Sequence, residues 1–454
     1  MMQLRPYQEK SVKRITDMWH HQRGAILGHD PGLGKTAIAI RALDQRPFRK
    51  VLIVTTVSSL FNWQREFKQW QTTDRSVAVV TDSNLTPAAM PKANVIIIAY
   101  SQLSSLTTTF ETLAGMHWAC VIFDEAHALK NSLSNRTQAA YSSQDVITKN
   151  GTHVSSLVDS SRRFLALSGT IAPNHYGELH PHLLAAIPRT LGCLKLDGYS
   201  EFLNTFCVVR EGTYGPQVLG NQNVPLLRSI LKPVYHRFSR EGVLKELPAL
   251  TVRHYPLPAT KLVLTACEAL NKQLQDNGLD QDSDLAELRT IEMHLATERR
   301  ALGLLKVDAV VDYADTELSA GSDDKMIVFA HHRDVLAGLF KQLVVFNPVL
   351  LQGGMSAKDR DDAIQRFQND PDCRVFIGQI DAAGEAITLT AANRVAFAEY
   401  SWNPAKNYQA MLRAHRIGQT KPVQVDFLTV AGSLDEIIGR VVARKTKMNA
   451  ELFG

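Results

Sequence analysis

Residues 119–127 read ACVIFDEAH, an apolar run that ends in an acidic pair. A short run of this kind, bounded by polar segments, is typical of a strand buried on both faces of a parallel sheet. Asp124 and Glu125 follow the run directly, so we expect both carboxylates at the end of that strand. The alternative is a helix N-terminus, where acidic side chains cap free N–H groups and favour the helix dipole.

A glycine-rich segment lies upstream, where residues 27–36 read LGHDPGLGKT before the apolar helix pattern AIAIRAL. Gly32 and Gly34 would let backbone N–H groups curl around phosphates, and the N-terminus of the following helix would add its positive dipole end. His29 stands where the strict phosphate-loop pattern has its first glycine. The segment alone therefore also fits a glycine-rich turn before an ordinary helix.

The two segments together indicate a nucleotide site. A strand followed by DEAH, downstream of GKT and a helix, makes a simple helix cap a poor explanation of the acidic pair. We predict that Lys35 contacts the β- and γ-phosphates of ATP, and that Thr36 and Asp124 hold Mg²⁺. Glu125 is placed to orient or deprotonate the attacking water, so it is the predicted catalytic base.

Short β-branched runs alternate with helical patterns in both halves of the chain, which predicts an α/β fold with two parallel sheets. A length of 454 residues also fits more than one domain. The predicted strands are Val51–Val54, Ser76–Val80, Val95–Ala99 and Cys120–Phe123 in the first half, and Met326–Phe329, Val349–Leu351, Val375–Ile377 and Val395–Phe397 in the second.

This pattern predicts a first lobe over residues 1–255, a helical connection over 256–321 and a second lobe over 322–454. Within the first lobe, a Ser/Thr/Asn-rich stretch at about 141–161 is interpreted as a surface insertion. Residues 206–224 carry β-formers around Gly-Pro and Gly-Asn turns, which predicts a hairpin.

Composition excludes few partners. The chain has 50 basic and 45 acidic residues, a formal net charge of +5 that permits a nucleic-acid partner without arguing for one. Its five cysteines show no metal-binding spacing, which predicts a reducing compartment and no structural zinc. The apolar runs are strand-sized and the first residues form no signal sequence, so we expect no membrane association and a cytoplasmic setting.

Several motifs resemble those of the superfamily 2 helicases. GLGKT, DEAH and the sequence LSGT at 167–170 are similar to motifs I, II and III, and WNPAKNYQAMLRAHRIGQ at 402–419 closely resembles the Snf2-family form of motif VI. Within that family, LKN after DEAH and TLTAANRVAFAEYSWNP at 388–404 look most like the annealing-helicase group, which remodels stalled forks. The resemblance covers nearly the whole chain and implies two RecA-like lobes with an ATP cleft between them.

The arginine-rich motif carries the predicted contribution of the second lobe. Gln409, Arg413 and Arg416 match the QxxxRxxR positions of motif VI, and residues three and four apart share a helix face. Arginine binds phosphate oxygens bidentately and stays charged, so this pair would stabilise the transition state from across the cleft. The alternative is a basic amphipathic helix on the surface.

The resemblance implies further site residues in the first lobe. LRPYQ near the N-terminus resembles the segment that reads adenine, with Gln8 hydrogen-bonded to the base and Tyr7 or Arg5 packed near it. A proline-capped helix start explains this pentapeptide equally well. Ser168 and Thr170 of motif III would couple the two lobes.

The resemblance also implies a DNA track across both lobes, contacted by small polar groups that bind the backbone without reading bases. In the first lobe, the helical spacing of Trp63 with Phe67 and Trp70 favours core packing over base stacking. In the second lobe, Glu385 departs from the glycine-rich form of motif V and should point away from DNA. The predicted contacts are Thr55, Asn62, Trp63, Ser101, His331, Thr388, Thr390 and Trp402.

The function expected from these features is ATP-dependent translocation on duplex, forked or junction DNA, without sequence preference, and a monomer would suffice for it. An RNA helicase of the same superfamily and a nucleic-acid clamp that binds ATP without hydrolysis are the alternatives. The predicted hairpin or the insertion would supply a strand-separating wedge. The lack of chromatin-reading modules favours a bacterial or phage protein.

Overall fold

The computed structural model describes residues 2–46, 48–212, 215–243, 247–258, 265, 268, 292–319, 325–383, 387–401, 404–430 and 433. The chain divides into two units, Met1–Lys245 and Glu246–Gly454. Each unit contains one main sheet whose paired strands all run parallel. The prediction of an α/β fold with two parallel sheets is therefore confirmed.

Seven strands form the sheet of the first unit, in the order β11-β1-β8-β5-β2-β4-β3. Buried apolar residues fill its central strands, which is typical of a parallel sheet covered on both faces. The strands are β1 Gly24–Leu27, β2 Val51–Thr55, β3 Val77–Val79, β4 Val95–Ala99, β5 Cys120–Asp124, β8 Phe164–Leu167 and β11 Tyr235–His236.

Helices of the first unit follow most strands of the sheet, singly or in runs of two or three. The first of them has proline at its start, where a missing N–H costs nothing. They are α1 Pro6–His21, α2 Lys35–Asp44, α3 Leu60–Trp70, α4 Tyr100–Ser104, α5 Thr108–Ala114, α6 Asn135–Tyr141, α7 His180–Ala186, α8 Pro188–Cys193, α9 Tyr199–Phe206, α10 Val224–Leu231 and α11 Arg240–Val243.

Two antiparallel hairpins accompany this sheet. Strands β9 (Cys207–Gly212) and β10 (Gly215–Asn221) pair with each other, which confirms the hairpin predicted at 206–224. Strands β6 (Val146–Ile147) and β7 (His153–Val154) form a smaller hairpin within the predicted insertion.

The end of that predicted insertion is not on the surface. Leu157 and Val158 are buried, and their N–H groups donate to the carbonyl oxygens of Ala139 and Ala140 in α6. The description of 141–161 as a surface insertion is therefore wrong for its last residues, because two apolar side chains in a polar stretch anchor it to the core.

Six strands form the sheet of the second unit, in the order β12-β17-β16-β13-β15-β14. The core of this unit consists of side chains from these strands and from the helices packed on them. The strands are β12 Leu250–Pro256, β13 Met326–Ala330, β14 Val349–Leu351, β15 Val375–Gln379, β16 Arg394–Phe397 and β17 Val423–Thr429, and the helices are α12 Glu292–Leu305, α13 Val307–Ser319, α14 Arg333–Gln342, α15 Ala357–Asn369, α16 Ile380–Ala383 and α17 Pro404–Met411.

The predicted boundary between the lobes is wrong at residues 250–256. Strand β12 pairs with β17 along its whole length, so it is the edge strand of the second sheet. Most of its side chains are exposed, so its sequence, LTVRHYP, lacks the apolar run from which the other strands were predicted. Helices α12 and α13, predicted as a connection, contribute Leu302, Val307 and Val310 to the second core.

Among the residues that the structure describes, no helix has both the length and the apolar character needed to cross a membrane.

The contact between β1 and β8 yields a stability prediction. A Cβ on Gly24 would lie 2.3 Å from the Phe164 ring, whereas a Cβ on Gly192 would meet nothing within 4 Å. We expect Gly24→Ala to lower the free energy of unfolding by roughly 1–3 kcal/mol because a packed aromatic ring must move. Gly192→Ala is the matched control and should leave urea unfolding nearly unchanged. Equal unfolding midpoints for both variants would contradict this packing.

Candidate nucleotide and nucleic-acid site

The glycine-rich turn of the first unit joins β1 to α2. Gly32 and Gly34 have φ values of +86° and +72°, a left-handed conformation that glycine adopts without strain. Helix α2 begins at Lys35, whose Nζ donates to the carbonyl oxygens of His29 at 2.8 Å and Asp30 at 3.4 Å. A helix N-terminus with a lysine beside it offers the N–H groups and charge that a phosphate group needs.

The start of α1 holds this turn from one side. The Tyr7 hydroxyl and the Gln8 amide both donate to the carbonyl oxygen of Leu33, at 3.1 and 3.2 Å. The Gln8 carbonyl oxygen accepts the N–H of Arg5 at 2.8 Å. Burial raises the pKa of Tyr7 to about 12, so its hydroxyl remains a donor. These residues brace the turn, and adenine contacts by Arg5, Tyr7 and Gln8 stay a prediction.

His29, which interrupts the glycine pattern, has a structural role. Its fully buried ring accepts the N–H of Phe238 at Nδ1 (3.0 Å), so Nε2 carries the hydrogen that faces Ser11 Oγ at 2.8 Å. Ser11 Oγ donates to the Tyr7 carbonyl and also lies 3.1 Å from His236 Nε2. Burial, and then the neighbouring His236, lower the pKa of His29 to about 2, so the ring is neutral.

The last residues of the first unit hold the turn from the other side. Asp30 pairs with Arg237 at 3.0 Å, and its second oxygen accepts the backbone N–H of Arg240 at 3.0 Å. The Arg240 guanidinium donates to the carbonyl oxygen of Pro31 at 3.0 Å. The turn is therefore fixed by segments more than 200 positions apart in sequence.

Asp124 lies at the carboxyl end of β5, as predicted. Its Oδ2 accepts two hydrogen bonds, from Thr55 Oγ1 at 2.9 Å and from Trp63 Nε1 at 2.8 Å. Its Oδ1 accepts the backbone N–H of Glu125 at 3.0 Å, and its carbonyl oxygen accepts the Tyr100 hydroxyl at 2.8 Å. The carboxylate is thus held in one orientation by neighbouring strand ends.

Glu125 adopts a left-handed backbone conformation, with φ of +48°. Its Oε2 lies 3.4 Å from His127 Nδ1. The same nitrogen lies 3.3 Å from Ser168 Oγ, which accepts the N–H of Thr170 at 3.1 Å. His127 therefore lies between the acidic pair and the LSGT segment and contacts both. A coupling role of Ser168 and Thr170 stays a prediction.

The acidic pair and the lysine of the turn influence each other. Burial raises the pKa of Asp124, and the Glu125 charge raises it further. Hydrogen bonds from Trp63 and Thr55, followed by the Lys35 charge, act in the opposite direction. A cation and two carboxylates close enough to interact, on a turn suited to phosphate, fit the predicted site for ATP and Mg²⁺. Thr36, predicted to bind the metal, is half-buried in the first turn of α2.

Two predicted DNA contacts are wrong in this structure. The side chains of Thr55 and Trp63 are fully buried and bonded to Asp124, so neither faces a nucleic acid. The core interpretation of Trp63 is the correct one, since the apolar face of α3 packs inward. Ser101 is exposed and Asn62 is half-buried, so these two remain available for contact.

In the second unit a buried carboxylate orders the loop after β13. Glu399 Oε2 accepts the N–H groups of His331 and His332 at 2.8 and 2.9 Å, and Oε1 lies 2.6 Å from His332 Nδ1. Gln379 Nε2 donates to the His331 carbonyl at 3.1 Å, while its Oε1 accepts the N–H of Gly353 at 2.8 Å. The loops after β13, β14 and β15 are therefore tied together at one sheet edge.

The arginine-rich motif departs from its predicted helix. Helix α17 ends at Met411, so Arg413 and Arg416 do not share a helix face with Gln409. Beyond the helix the backbone has partners elsewhere in the unit: the Arg413 carbonyl accepts the N–H of Leu389 at 2.9 Å. The helical-face argument for these arginines is wrong, although Gln409 does lie in α17.

The two arginines differ in exposure. Arg413 is 1% exposed, and its guanidinium lies 3.5 Å from the carbonyl oxygen of Ile387. Arg416 is half-buried and donates to Thr388 Oγ1 at 3.3 Å. Thr388 thus contacts the arginine segment, and Thr390 is half-buried. Trp402 and Glu385 lie outside the described residues.

Sequence reasoning missed three groups of this site. Glu399 ends an apolar run just as Asp124 does, so a search for acids after strands would have found it. His236 and Ser11 gave no sequence signal, because single polar residues 225 positions apart meet only in the fold.

The fold and the site define a class: a chain of two parallel α/β units, one of which carries a glycine-rich turn suited to phosphate and an acidic pair at a strand end. The chain belongs to the family of the SNF2-related domain, whose model matches residues 7–275, and the helicase conserved C-terminal domain matches residues 306–418.

The chain is also similar to curated proteins of animals. The chain is 27% identical to the mouse (Mus musculus) DNA annealing helicase and endonuclease ZRANB3, over 93% of this chain and 38% of that protein. It is 28% identical to a Drosophila melanogaster protein, the SWI/SNF-related matrix-associated actin-dependent regulator of chromatin subfamily A-like protein 1, over 98% of this chain and 55% of that protein. The chain thus spans about two fifths to one half of these relatives.

A solved structure, the Sulfolobus solfataricus SWI2/SNF2 ATPase core in complex with dsDNA, is 24% identical to this chain. It matches over 98% of this chain and 92% of its own, with a TM-score of 0.45.

The Glu399 contacts predict a pH-dependent contribution to stability. Burial acts to raise the pKa of Glu399, but hydrogen bonds from His332 and from two backbone N–H groups outweigh it, so the pKa lies below its ordinary value. A depressed pKa adds stability that is fully present above about pH 4.3 and is lost as the pH falls through the folded value.

We expect Glu399→Ala to lower the free energy of unfolding of the second unit by about 2–4 kcal/mol at neutral pH, because two partly buried N–H groups and the His332 ring lose their acceptor. The difference from the wild-type protein should shrink towards pH 3. Glu399→Gln keeps the shape and an acceptor, so it should lose mainly the pH dependence. Urea midpoints that are the same for wild-type and Glu399→Ala protein would contradict this role.

Proposed function

We propose that this chain is an ATP-dependent motor that acts on duplex or branched DNA, with hydrolysis stimulated by the DNA. The observation that carries the proposal is the Asp124–Glu125 pair, fixed at a strand end within electrostatic reach of Lys35 on the glycine-rich turn. Membership of the SNF2-related family supports it, as do relatives whose names describe annealing helicases.

The residues present fit ATP and Mg²⁺. The turn at Gly32 and Gly34 and the Lys35 ammonium would hold the phosphates, while Thr36 and Asp124 would bind the metal through oxygen atoms, which Mg²⁺ prefers. Bound Mg²⁺ would supply charge stabilisation to the transferred phosphoryl group. Glu125 would then act as general base on the attacking water.

The second unit would contribute positive charge to the nucleotide site and part of the DNA-binding surface. We propose that Arg416 and Arg413 stabilise developing negative charge on the nucleotide, and Gln409 lies in the same segment. Arg416 is the stronger candidate because it is the more accessible of the two arginines. Since Arg416 also donates to Thr388, the loop proposed to contact DNA would sense its position.

The proposed DNA contacts are groups at the ends of strands and starts of helices. Asn62, Ser101, His331 and Thr390 are exposed or half-buried and polar, so they suit phosphate contacts that carry no base information. Binding would be sequence-independent and would weaken with added salt. We also propose that the chain works as a monomer in the cytoplasm of a bacterial or phage-infected cell.

ATP hydrolysis measured with a panel of nucleic acids distinguishes three candidate functions: a DNA motor, an RNA helicase and a clamp that does not hydrolyse ATP. We expect ATP hydrolysis to rise with duplex and forked DNA and to respond less to RNA of the same sequence. Stimulation by RNA alone would favour an RNA helicase. Binding of ATP and DNA without turnover would favour a clamp.

The proposed base is tested by Glu125→Gln. Turnover should fall by roughly 10²- to 10⁴-fold because the carboxylate that accepts the proton is lost, while nucleotide affinity stays close to that of the wild-type protein. Glu201→Gln, the same change at an exposed site on α9, is the control. A Glu125→Gln enzyme that turns over ATP at the wild-type rate would remove Glu125 from the mechanism.

The β9–β10 hairpin is the proposed wedge. Val208 and Leu219 are 45% and 64% exposed; Val208 pairs with Gly220, and Leu219 lies in the bulge between Val218 and Gly220. The base of the hairpin is held by Asn221, which accepts the N–H of Tyr176 at 2.9 Å. A firmly anchored two-stranded ribbon with apolar side chains in solvent suits contact with unstacked bases.

We expect the double change Val208→Ser and Leu219→Ser to abolish processing of forked DNA while leaving DNA-stimulated ATP hydrolysis intact. Leu226→Ser, at a 42% exposed residue of α10, is the control. Fork processing and hydrolysis are measured side by side with labelled fork substrates. Joint loss of both activities, or loss of neither, would rule the hairpin out as the wedge.

A further inference from the structure

The side chains around the Asp124 carboxylate form a built arrangement within the first unit. Strands β2 and β5 are parallel neighbours with Val54 beside Phe123, so the next residues, Thr55 and Asp124, end side by side. Helix α3 then returns over the sheet and brings Trp63 to the same carboxylate. All three side chains are at most 6% exposed, so these hydrogen bonds form out of contact with bulk water.

The arrangement leaves a defined part of the carboxylate available. A carboxylate offers about four lone-pair positions to donors or metals. Thr55 and Trp63 use the two positions on Oδ2, and the N–H of Glu125 uses one on Oδ1. The remaining position belongs to Oδ1, so a metal ion would approach from that side in a fixed direction.

Trp63 differs from the other buried tryptophans of this unit. Trp19 Nε1 donates to the Phe164 carbonyl oxygen at 3.0 Å, and Trp118 Nε1 donates to the Leu113 carbonyl oxygen at 2.9 Å. Both are ordinary pairings of a buried indole with backbone. Trp63 donates instead to an ionisable side chain at the predicted metal site, which core packing alone does not require.

We infer that Trp63 and Thr55 are positioning residues for the metal carboxylate, and that Trp63 connects the metal site to helix α3. This inference rests on the proposed function of the site. The first turn of α3 holds Asn62, a proposed DNA contact next to Trp63 in sequence. A shift of this turn on DNA binding would move the indole N–H and change the orientation of Asp124. Part of the stimulation of ATP hydrolysis by DNA would therefore depend on the contact between Trp63 and Asp124.

The test compares two matched substitutions of buried tryptophans. Trp63→Phe removes the N–H but keeps an aromatic ring in the core, and Trp19→Phe makes the same change away from Asp124. The affinity for Mn²⁺, a probe for the divalent cation, is measured by electron paramagnetic resonance with a non-hydrolysable ATP analogue. We expect it to weaken about tenfold in Trp63→Phe because a charged group loses one donor, and to be unchanged in Trp19→Phe.

Two further readouts separate positioning from a general defect. DNA affinity at fixed salt should be the same in Trp63→Phe as in the wild-type protein, while the DNA stimulation of hydrolysis falls. Thr55→Val should also weaken Mn²⁺ binding, because it removes the hydroxyl donor. Thr55→Ser keeps the hydroxyl, so it should bind Mn²⁺ as tightly as the wild-type protein. Thermal unfolding of each variant is the control for correct folding.

The outcomes distinguish the inference from the proposed function. If wild-type protein binds no Mn²⁺ with nucleotide, or DNA does not stimulate its hydrolysis, the proposed function itself fails. If the wild-type protein does both and Trp63→Phe binds Mn²⁺ as tightly as Trp19→Phe, the positioning role is overturned. A loss of DNA affinity in Trp63→Phe without a loss of Mn²⁺ affinity would overturn it as well.

Discussion

The fixed orientation of one carboxylate is the constraint on which the first unit depends. Asp124 is buried at a strand end, where charge is costly unless it is hydrogen-bonded. Its three donors come from β2, from α3 and from the following residue, so the order of the parallel strands determines the geometry of the site. Parallel strands end at one edge, which is why residues distant in sequence can converge on it.

The glycine-rich turn at Gly32 and Gly34 is likewise held in place by segments that are distant in sequence. Its backbone is held by α1 through Tyr7 and Gln8, and by the end of the unit through Arg237 and Arg240. His29 fills the space between these segments as a neutral, fully bonded ring. A residue that breaks the usual glycine pattern therefore strengthens the support of the turn.

The fold was largely predictable because buried parallel strands have strong sequence signals. All eight predicted strands are present, and so is the hairpin at 206–224. Five strands of the two main sheets were missed: Gly24–Leu27, Phe164–Leu167, Tyr235–His236, Leu250–Pro256 and Val423–Thr429. Gly24–Leu27 and Phe164–Leu167 contain few β-branched residues, and the side chains of Leu250–Pro256 are largely exposed. Val423–Thr429 does carry the β-forming pattern VQVDFLT, so this strand could have been predicted. The acidic pair was found because it follows a strand directly. The end of α17 at Met411, the partners of Trp63 and the role of Glu399 depend on tertiary contacts that no local pattern encodes.

The most direct test of this account is the affinity for ATP measured by calorimetry with and without Mg²⁺, for wild-type protein and for Asp124→Asn. We predict that Mg²⁺ strengthens ATP binding to the wild-type protein, and that Asp124→Asn loses this gain while its metal-free affinity is unchanged. Equal Mg²⁺ dependence in the two proteins would contradict the assignment of Asp124 as the metal carboxylate.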